Sequence, residues 1–442
     1  MASPARQAAF DILLRVEQRQ AYATELLHSD RLRELSPQDR HLCTELVMGT
    51  LRWRSRLDLG IGAASAQPLH KLDPEVLAAL RLGAYQIAFL RLPARAAVNE
   101  SVELVKRARR RYSAPFANAV LRKLAGKPEL MEPALAPGAK TVPGLSQLYA
   151  HPLWLVERWA AAYGIATADK MCAYDQQAPQ AALRLRDPKV EDELRCANIQ
   201  LAPGALLRSA RRAVQGDVTH SRAFAEGRVA VQDEASQLVA LLVGHGERLL
   251  DCCAAPGGKT AILAEHNPQA AIVATDLHPR RAALLQRRLA AYHNVRVLAS
   301  DAAAPALAAE FDRVLADVPC SGTGTLARHP EIKWRLTAED LPGLHRKQVA
   351  ILRAATERVR RGGRLLYSSC SLEREENVEV VNEVLHQSQF RLVDCRQELQ
   401  RLRDSGGLAW SGLDSLLDGP FLRTIPGVHP CDGFFAAIVE RH

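Results

Sequence analysis

No two of the nine cysteines in this 442-residue chain stand in a CxxC pair. They are odd in number and scattered, so neither a disulfide framework nor a zinc site is indicated, and no metal is expected. Free thiols on this scale belong in a reducing cytosol. Long apolar runs are missing as well. The longest stretch without Asp, Glu, Lys or Arg is the sixteen residues 141–156, and Pro143, Gly144, Ser146, Gln147 and Tyr149 interrupt it, so no membrane span is expected. Arg6, Asp11, Arg15 and Glu17 break up any early apolar core, so a secretory signal is not expected either. These absences point to a cytoplasmic protein. An apolar content of 48% excludes a disordered chain.

What is present is an uneven charge. The chain carries 58 basic and 49 acidic residues, a net +9, and residues 1–130 hold 21 basic against 13 acidic side chains. Almost the whole excess therefore lies in the first third. Its densest run is Lys106-Arg107-Ala108-Arg109-Arg110-Arg111, followed by Arg122 and Lys123. A polyanion such as RNA gains counterion-release free energy at such a patch, whereas an isolated basic run is as often a solvated helix face. Concentration in one region favours RNA.

The first third reads as helical. Ala9, Ile12, Leu13 and Val16 share a face behind a Ser3-Pro4 start, Ser36-Pro37 caps a second helix, and Asp73-Pro74-Glu75 opens a third. Two more are expected over 97–109 and 115–125. Four prolines between Gly126 and Gly144 then mark an exposed linker. Residues 145–230 look mixed, with a helix from His151-Pro152 to Gly164 and a strand at 183–186. From about residue 228, short apolar runs at 248–252, 271–275, 295–298, 313–317 and 364–369 alternate with helical segments. That alternation predicts a parallel sheet with helices on both faces and ligands at the strands' carboxyl ends.

Those ends carry chemistry. After the first strand comes DCCAAPGGK (251–259), a small-residue turn that lets a ligand approach the backbone; it matches neither GxGxxG nor a Walker loop. Asp276 ends the second strand, where an acid accepts the hydroxyls of a ribose, and Ser300-Asp301 follow the third, placed for an adenine amino group. Singly each acid is more often a cap; in succession they favour an adenosine-type cofactor. The fourth strand ends DVPCSGTG (317–324) and the fifth YSSCS (367–371), so Cys320 and Cys370 are expected to face one cleft. Cys43, Cys172, Cys196 and Cys395 are read as small buried hydrophobes, Cys252 and Cys253 as structural. Two thiols beside an adenosine cofactor suit methylation of cytosine carbon 5. Thiolate addition at carbon 6 makes carbon 5 enamine-like, and the second thiol assists release. Asp317 is placed to hold the cytosine N3 and N4 edge, and Lys259 to lower a thiol's pKa. Spacing alone does not settle which thiol attacks.

The stretches DCCAAPGGKT (251–260), ATD (274–276), DVPCSGTG (317–324), RHPEIKW (328–334) and LLYSSCSLEREENVEVV (365–381) resemble the RNA cytosine-5 methyltransferase family over the last two hundred residues. The first third resembles the helical NusB-type RNA-binding domain, a pairing typical of the branch that methylates small-subunit (16S) ribosomal RNA. The resemblance implies a class I S-adenosylmethionine fold, with Cys253, Ala254, Ala255, Pro256, Gly257, Gly258, Lys259, Asp276, Asp301 and Asp317 around the cofactor. It implies that Cys370 is the nucleophile and that Cys320 promotes product release. The family usually has Thr where this chain has Ser369; the hydroxyl is retained.

The expected architecture is an α/β Rossmann-like catalytic domain (231–442), an all-α NusB-like domain (1–128), a linker (129–144) and a small α+β RNA-contacting subdomain (145–230). Lys106, Arg107, Arg109, Arg110, Arg111, Arg122 and Lys123 are the expected RNA contacts, and a monomer is expected. The alternatives are a cytosine-5 methyltransferase acting on transfer RNA or DNA and a non-enzymatic RNA-binding assembly factor. Loss of either cysteine, Asp276 or the GGK turn would favour the last; all are present.

Overall fold

A computed structural model describes residues 2–19, 21–29, 32, 34–65, 67–90, 92–133, 140–305, 307, 310–386 and 389–442. The chain forms two compact units, one of residues 1–178 with 326–336, the other of 179–325 with 337–442.

The first unit is helical. Helices Pro4–Arg19, Pro37–Arg52, Arg54–Ala64, Pro74–Phe89, Ala94–Arg107 and Ala114–Gly126 bury Phe10, Leu13, Leu46, Leu57, Ile61, Leu80, Leu104, Leu121 and Leu124 in one core. Each such side chain contributes about 1.5–3 kcal/mol relative to exposure. Ser36 caps its helix by accepting the Asp39 N–H at 3.1 Å. Asp73 starts a helix without a side-chain cap. In place of a wholly exposed linker, Pro128–Met131 forms a 3₁₀ turn and Met131 is buried; residues 134–139 of that stretch lie outside the described residues.

Helices Val142–Leu148, Leu153–Tyr163 and Ile165–Asp175 also belong to this unit, although the sequence pattern groups 145–230 together. Hydrogen bonds give the reason. Gln176 donates to the Arg52 carbonyl at 3.2 Å, and Lys333 Nζ bridges the carbonyls of Arg52 at 2.9 Å and Ala150 at 3.0 Å. The segment carrying Lys333 is the family-like RHPEIKW stretch. Glu331 there accepts the Ala23 N–H at 2.9 Å, and Trp334 Nε1 donates to the Leu51 carbonyl at 2.6 Å.

In the second unit, strands β1 (Ala182–Leu185), β2 (Gln200–Pro203), β3 (Ala210–Gln215) and β4 (Val229–Val231) make an antiparallel sheet in the order β2-β3-β1-β4. A second sheet joins β5 (Arg248–Asp251), β6 (Ala271–Asp276), β7 (Val295–Ala299), β8 (Phe311–Asp317), β9 (Val359–Ser369), β10 (Phe390–Val393), β11 (Leu417–Asp418), β12 (Phe421–Thr424) and β13 (Phe434–Arg441). Its order is β11-β12-β13-β9-β8-β5-β6-β7, with β10 on β13. Strands β5 to β9 are parallel, as expected. The remaining four pair antiparallel, which the alternation of strand and helix did not predict: β9 is followed by a helix but β13 returns beside it in the opposite sense. Among the described residues no helix is long and apolar enough to cross a membrane.

Candidate active site

The order β7-β6-β5-β8-β9 reverses direction at β5, and a crevice opens at the carboxyl ends on such a switch point. Register aligns the ends: Asp251 lies beside Ala274 and Leu315, Asp276 beside Ala299, and Asp317 beside Ser368. Asp301, Asp276, Asp251, Asp317 and Cys370 therefore mark five adjacent strand ends.

At β5 the chain turns sharply through Cys252–Gly257. Gly257 adopts a left-handed φ of 106° and caps helix Gly258–His266; a Cβ there would lie 2.8 Å from Leu285 Cδ1. The turn is fastened to its neighbour, with the Ala254 N–H donating to the Thr275 carbonyl at 2.8 Å and Thr275 Oγ1 to the Cys252 carbonyl at 2.7 Å. The Ala255–Pro256 peptide is cis. Asp276 is buried and Asp301 exposed, and each accepts a backbone N–H two residues on, from His278 and Ala303, at 2.9 Å. Both thus brace the local backbone, and the second oxygen of Asp276 pairs with Arg281 Nε at 3.5 Å. Asp251 is wholly buried; Thr260 donates to its Oδ2 at 2.7 Å while Oδ1 has no hydrogen-bond partner among the described residues. Burial pushes its carboxyl up to about 7 despite the Thr260 bond.

On the other side of β5, Lys259 Nζ donates to Asp317 Oδ2 at 2.8 Å and Ser368 Oγ to Asp317 Oδ1 at 2.8 Å. Lys259 also lies 5.0 Å from the centre of the Phe434 ring. Its burial disfavours the charge, but Asp317, with Cys370 and Asp251 as lesser partners, more than offsets this and holds the ammonium above its ordinary pKa. The sulfurs of Cys320 and Cys370 are 3.2 Å apart, both half-buried. The hydrogen bond with Cys370, together with burial, holds the Cys320 thiol well above its usual value. Two neighbouring sulfurs beside an ion-paired ammonium can run nucleophilic chemistry at an electrophilic ring carbon.

The chain matches the model of the family described as 16S rRNA methyltransferase RsmB/F over residues 238–440, and that of the NusB family over residues 3–126. It is 35% identical over 392 residues to the probable ribosomal RNA small subunit methyltransferase B of Bacillus subtilis, covering 85% of this chain and 87% of that one. The chain belongs to this methyltransferase family. The ribosomal RNA small subunit methyltransferase B of Pseudomonas putida is 34% identical, with 80% of this chain and 83% of that one covered. Among solved structures, that of PH0851 covers both chains completely with a TM-score of 0.80 at 23% identity. NSun6 from Pyrococcus horikoshii, crystallised with SFG, aligns with a TM-score of 0.54 at 18% identity, over 64% of this chain and 97% of that one. At these identities the two structures speak for the fold.

Within the family's NusB-like part, the basic run is partly engaged. Arg107 pairs with Asp11 at 3.0 Å, Lys106 with Glu103 at 2.7 Å and Arg110 with Glu75 at 3.4 Å, while Lys123 reaches the Ala63 carbonyl at 3.1 Å. Arg109, Arg111 and Arg122 are exposed and make no ion pair among the described residues. Of the other cysteines read from the sequence, all but one behave as expected: burial pushes the thiols of Cys43, Cys172, Cys252, Cys253 and Cys395 up. Cys431, to which the sequence assigned no role, is buried with its thiol raised in the same way. Cys196, expected inside, is exposed: Val190 and Leu194 take the inward face of its short helix. Sequence reasoning missed Asp251, Ser368 and Phe434 as neighbours of the site. Asp251 and Ser368 stood in quoted motifs, but nothing in the pattern near Phe434 signalled that it reaches Lys259.

Proposed function

We propose that the chain transfers a methyl group from S-adenosylmethionine to carbon 5 of a cytosine in small-subunit ribosomal RNA, through a covalent bond between Cys370 and carbon 6. The observation that carries this is the pair of sulfurs 3.2 Å apart beside the Lys259–Asp317 ion pair. The residues suit the cofactor. A glycine whose Cβ would strike Leu285 lets the turn pack tightly, acids stand at the ends of β5, β6 and β7, and Asp251 Oδ1 is buried without a donor among the described residues. Cys253–Lys259, Asp276, Asp301 and Asp317 would hold it, and when bound it supplies an electrophilic methyl on a sulfonium.

The chain's own groups do the rest. The family resemblance makes Cys370 the attacking sulfur, and Cys320, whose sulfur lies 3.2 Å away, stands where it can assist release. Addition of Cys370 to carbon 6 loads carbon 5 with electron density; once carbon 5 carries the methyl group, a base, for which the Cys320 sulfur is placed, takes the carbon 5 proton as the bond to Cys370 breaks and Cys370 leaves as thiolate, restoring the ring. Lys259 keeps Asp317 oriented, and Asp317 meets the N3 and N4 edge of the base. Arg109, Arg111 and Arg122 offer unpaired charge to RNA phosphates. The family relatives act, by name, on small-subunit ribosomal RNA, which favours that target over transfer RNA or a non-enzymatic role.

Purified protein incubated with labelled S-adenosylmethionine and small-subunit RNA tests the reading. Cys370→Ala should abolish transfer while cofactor binding survives, and Cys320→Ala should trap a protein–RNA adduct visible on a denaturing gel. Full turnover by Cys370→Ala would overturn the assignment.

A further inference from the structure

The carboxylate of Glu376 is fully buried and lies in neither the cofactor turn nor the sulfur pair. It sits in the short 3₁₀ turn Arg374–Glu376, just before helix Val378–Leu385. Its Oε1 accepts the Ser321 N–H at 2.8 Å and the Gln348 side-chain N–H at 2.8 Å. Its Oε2 is reached by the hydroxyls of both Ser321 and Ser371. Four donors meet about four lone-pair sites on the two oxygens, so the acceptor capacity of the carboxylate is filled. Ser321 directly follows Cys320, and Ser371 directly follows Cys370.

One buried carboxylate therefore grips the residue after each sulfur-bearing residue. Around it the bracing continues. Gln348, from helix Leu341–Thr356, also donates to the Pro319 carbonyl at 3.0 Å, the residue before Cys320. The Tyr367 hydroxyl donates to the Glu376 carbonyl at 2.6 Å, and Asn377 Nδ2 to the Ser371 carbonyl at 2.9 Å. The two loops also touch directly, through the Gly324 N–H on the Cys370 carbonyl at 2.9 Å. Charge-assisted hydrogen bonds of this kind are short and directional, and in a dry interior they hold loops more stiffly than packing does.

We infer that Glu376 is a positioning residue that sets the separation of the Cys320 and Cys370 sulfurs by clamping the two loops that carry them. The consequence for catalysis rests on the proposed methyl transfer; the clamp itself does not. Without the carboxylate, two hydroxyls and two N–H groups lose their shared acceptor, and each loop relaxes on its own. A displacement of about 1 Å between groups that act on neighbouring atoms of one ring costs on the order of 10²-fold in rate.

The test reads the sulfur separation directly. Diamide oxidises two neighbouring thiols to a disulfide, its azo group taking up the two electrons and two protons they release, and peptide mass mapping times formation of the Cys320–Cys370 bond. Glu376→Ala should slow that bond at least tenfold and lower kcat about 10²-fold, with the KM for RNA and cofactor binding unchanged. Glu376→Gln keeps the length and an acceptor, and the serine hydroxyls can turn to accept from its amide, so it should recover most of both. If Glu376→Ala fails to fold, Ser371→Ala, which cuts one strand of the clamp, should slow disulfide formation by an intermediate amount. Wild-type disulfide rates in folded Glu376→Ala, or in Ser371→Ala, would overturn the clamp. Disulfide slowing in a protein that transfers no methyl group would instead overturn the proposed function and leave the clamp standing.

Discussion

Lys259 and Lys333 are the same side chain under opposite electrostatics. Lys259 is largely buried in the sheet unit, its side chain 13% exposed, and it faces the Asp317 carboxylate at 2.8 Å. Lys333 is 2% exposed in the helical unit, and its ammonium meets two neutral carbonyls. The first is held above its ordinary pKa; the second is pushed by burial down to about 7, with Asp175 and Cys172 offsetting only part of the cost. Removing an ammonium from water costs several kcal/mol, and a full opposite charge restores far more of it than carbonyl dipoles do. A lysine meant to stay charged needs a carboxylate partner, whereas one meant to tie backbone together can work as a neutral amine.

The comparison breaks most visibly in activity. Lys259→Ala should lower methyl transfer about 10²–10³-fold, as for loss of an electrostatic group at a reacting centre, with little change in melting temperature. Lys333→Ala should do the reverse. It leaves a cavity, takes the Lys333 donor from the Ala150 carbonyl and leaves the Arg52 carbonyl with Gln176, which costs about 2–5 kcal/mol in urea unfolding of the helical unit. An unchanged unfolding curve would show that water replaces the amine without penalty.

A finer probe is pH. Between about 7 and 10 the folded protein has released the Lys333 proton while the unfolded chain still holds it. Unfolding then takes up a proton, and stability rises with pH across that window. Lys333→Met should flatten the rise. Lys259 contributes nothing there, because both states keep its proton; its contribution is lost only as pH climbs through its raised folded value. Asp251 has the opposite slope. From about pH 4 to 7 the folded protein keeps a proton that the unfolded chain has lost, so the wild type weakens as pH rises. Asp251→Asn should therefore gain in melting temperature over the wild type between pH 4.5 and 7.5, by about 2–4 °C for each kcal/mol. A constant difference would mean that Asp251 ionises normally.

Much of this architecture was readable in the chain. Apolar runs of strand length alternating with helical segments fixed the parallel β5–β9 core, because each strand buried on both faces needs continuous apolar residues. Helix starts at Pro4, Pro37 and Pro74 were visible because proline suits the first helical turn. The antiparallel strands β10 to β13 were not, since β11, β12 and β13 follow one another without an α-helix between them and β10 pairs with β13 rather than with the parallel strands. Nor did local pattern reveal that RHPEIKW leaves the sheet unit, which it does between Thr325 and Thr337. Its Lys333 and Trp334 look like surface residues until their backbone acceptors, more than 180 positions away, are known.

The residue types at the strand ends, and so the kind of chemistry open to this protein, were determined by the sequence alone, since a small-residue turn and strand-terminal acids and cysteines act wherever a parallel sheet presents them. Only the tertiary structure decided that the two sulfurs lie 3.2 Å apart, that Glu376 grips both loops, and that one lysine is charged while another is poised to lose its proton. Those outcomes depend on distance and on exclusion of water, and both are set by residues remote along the chain.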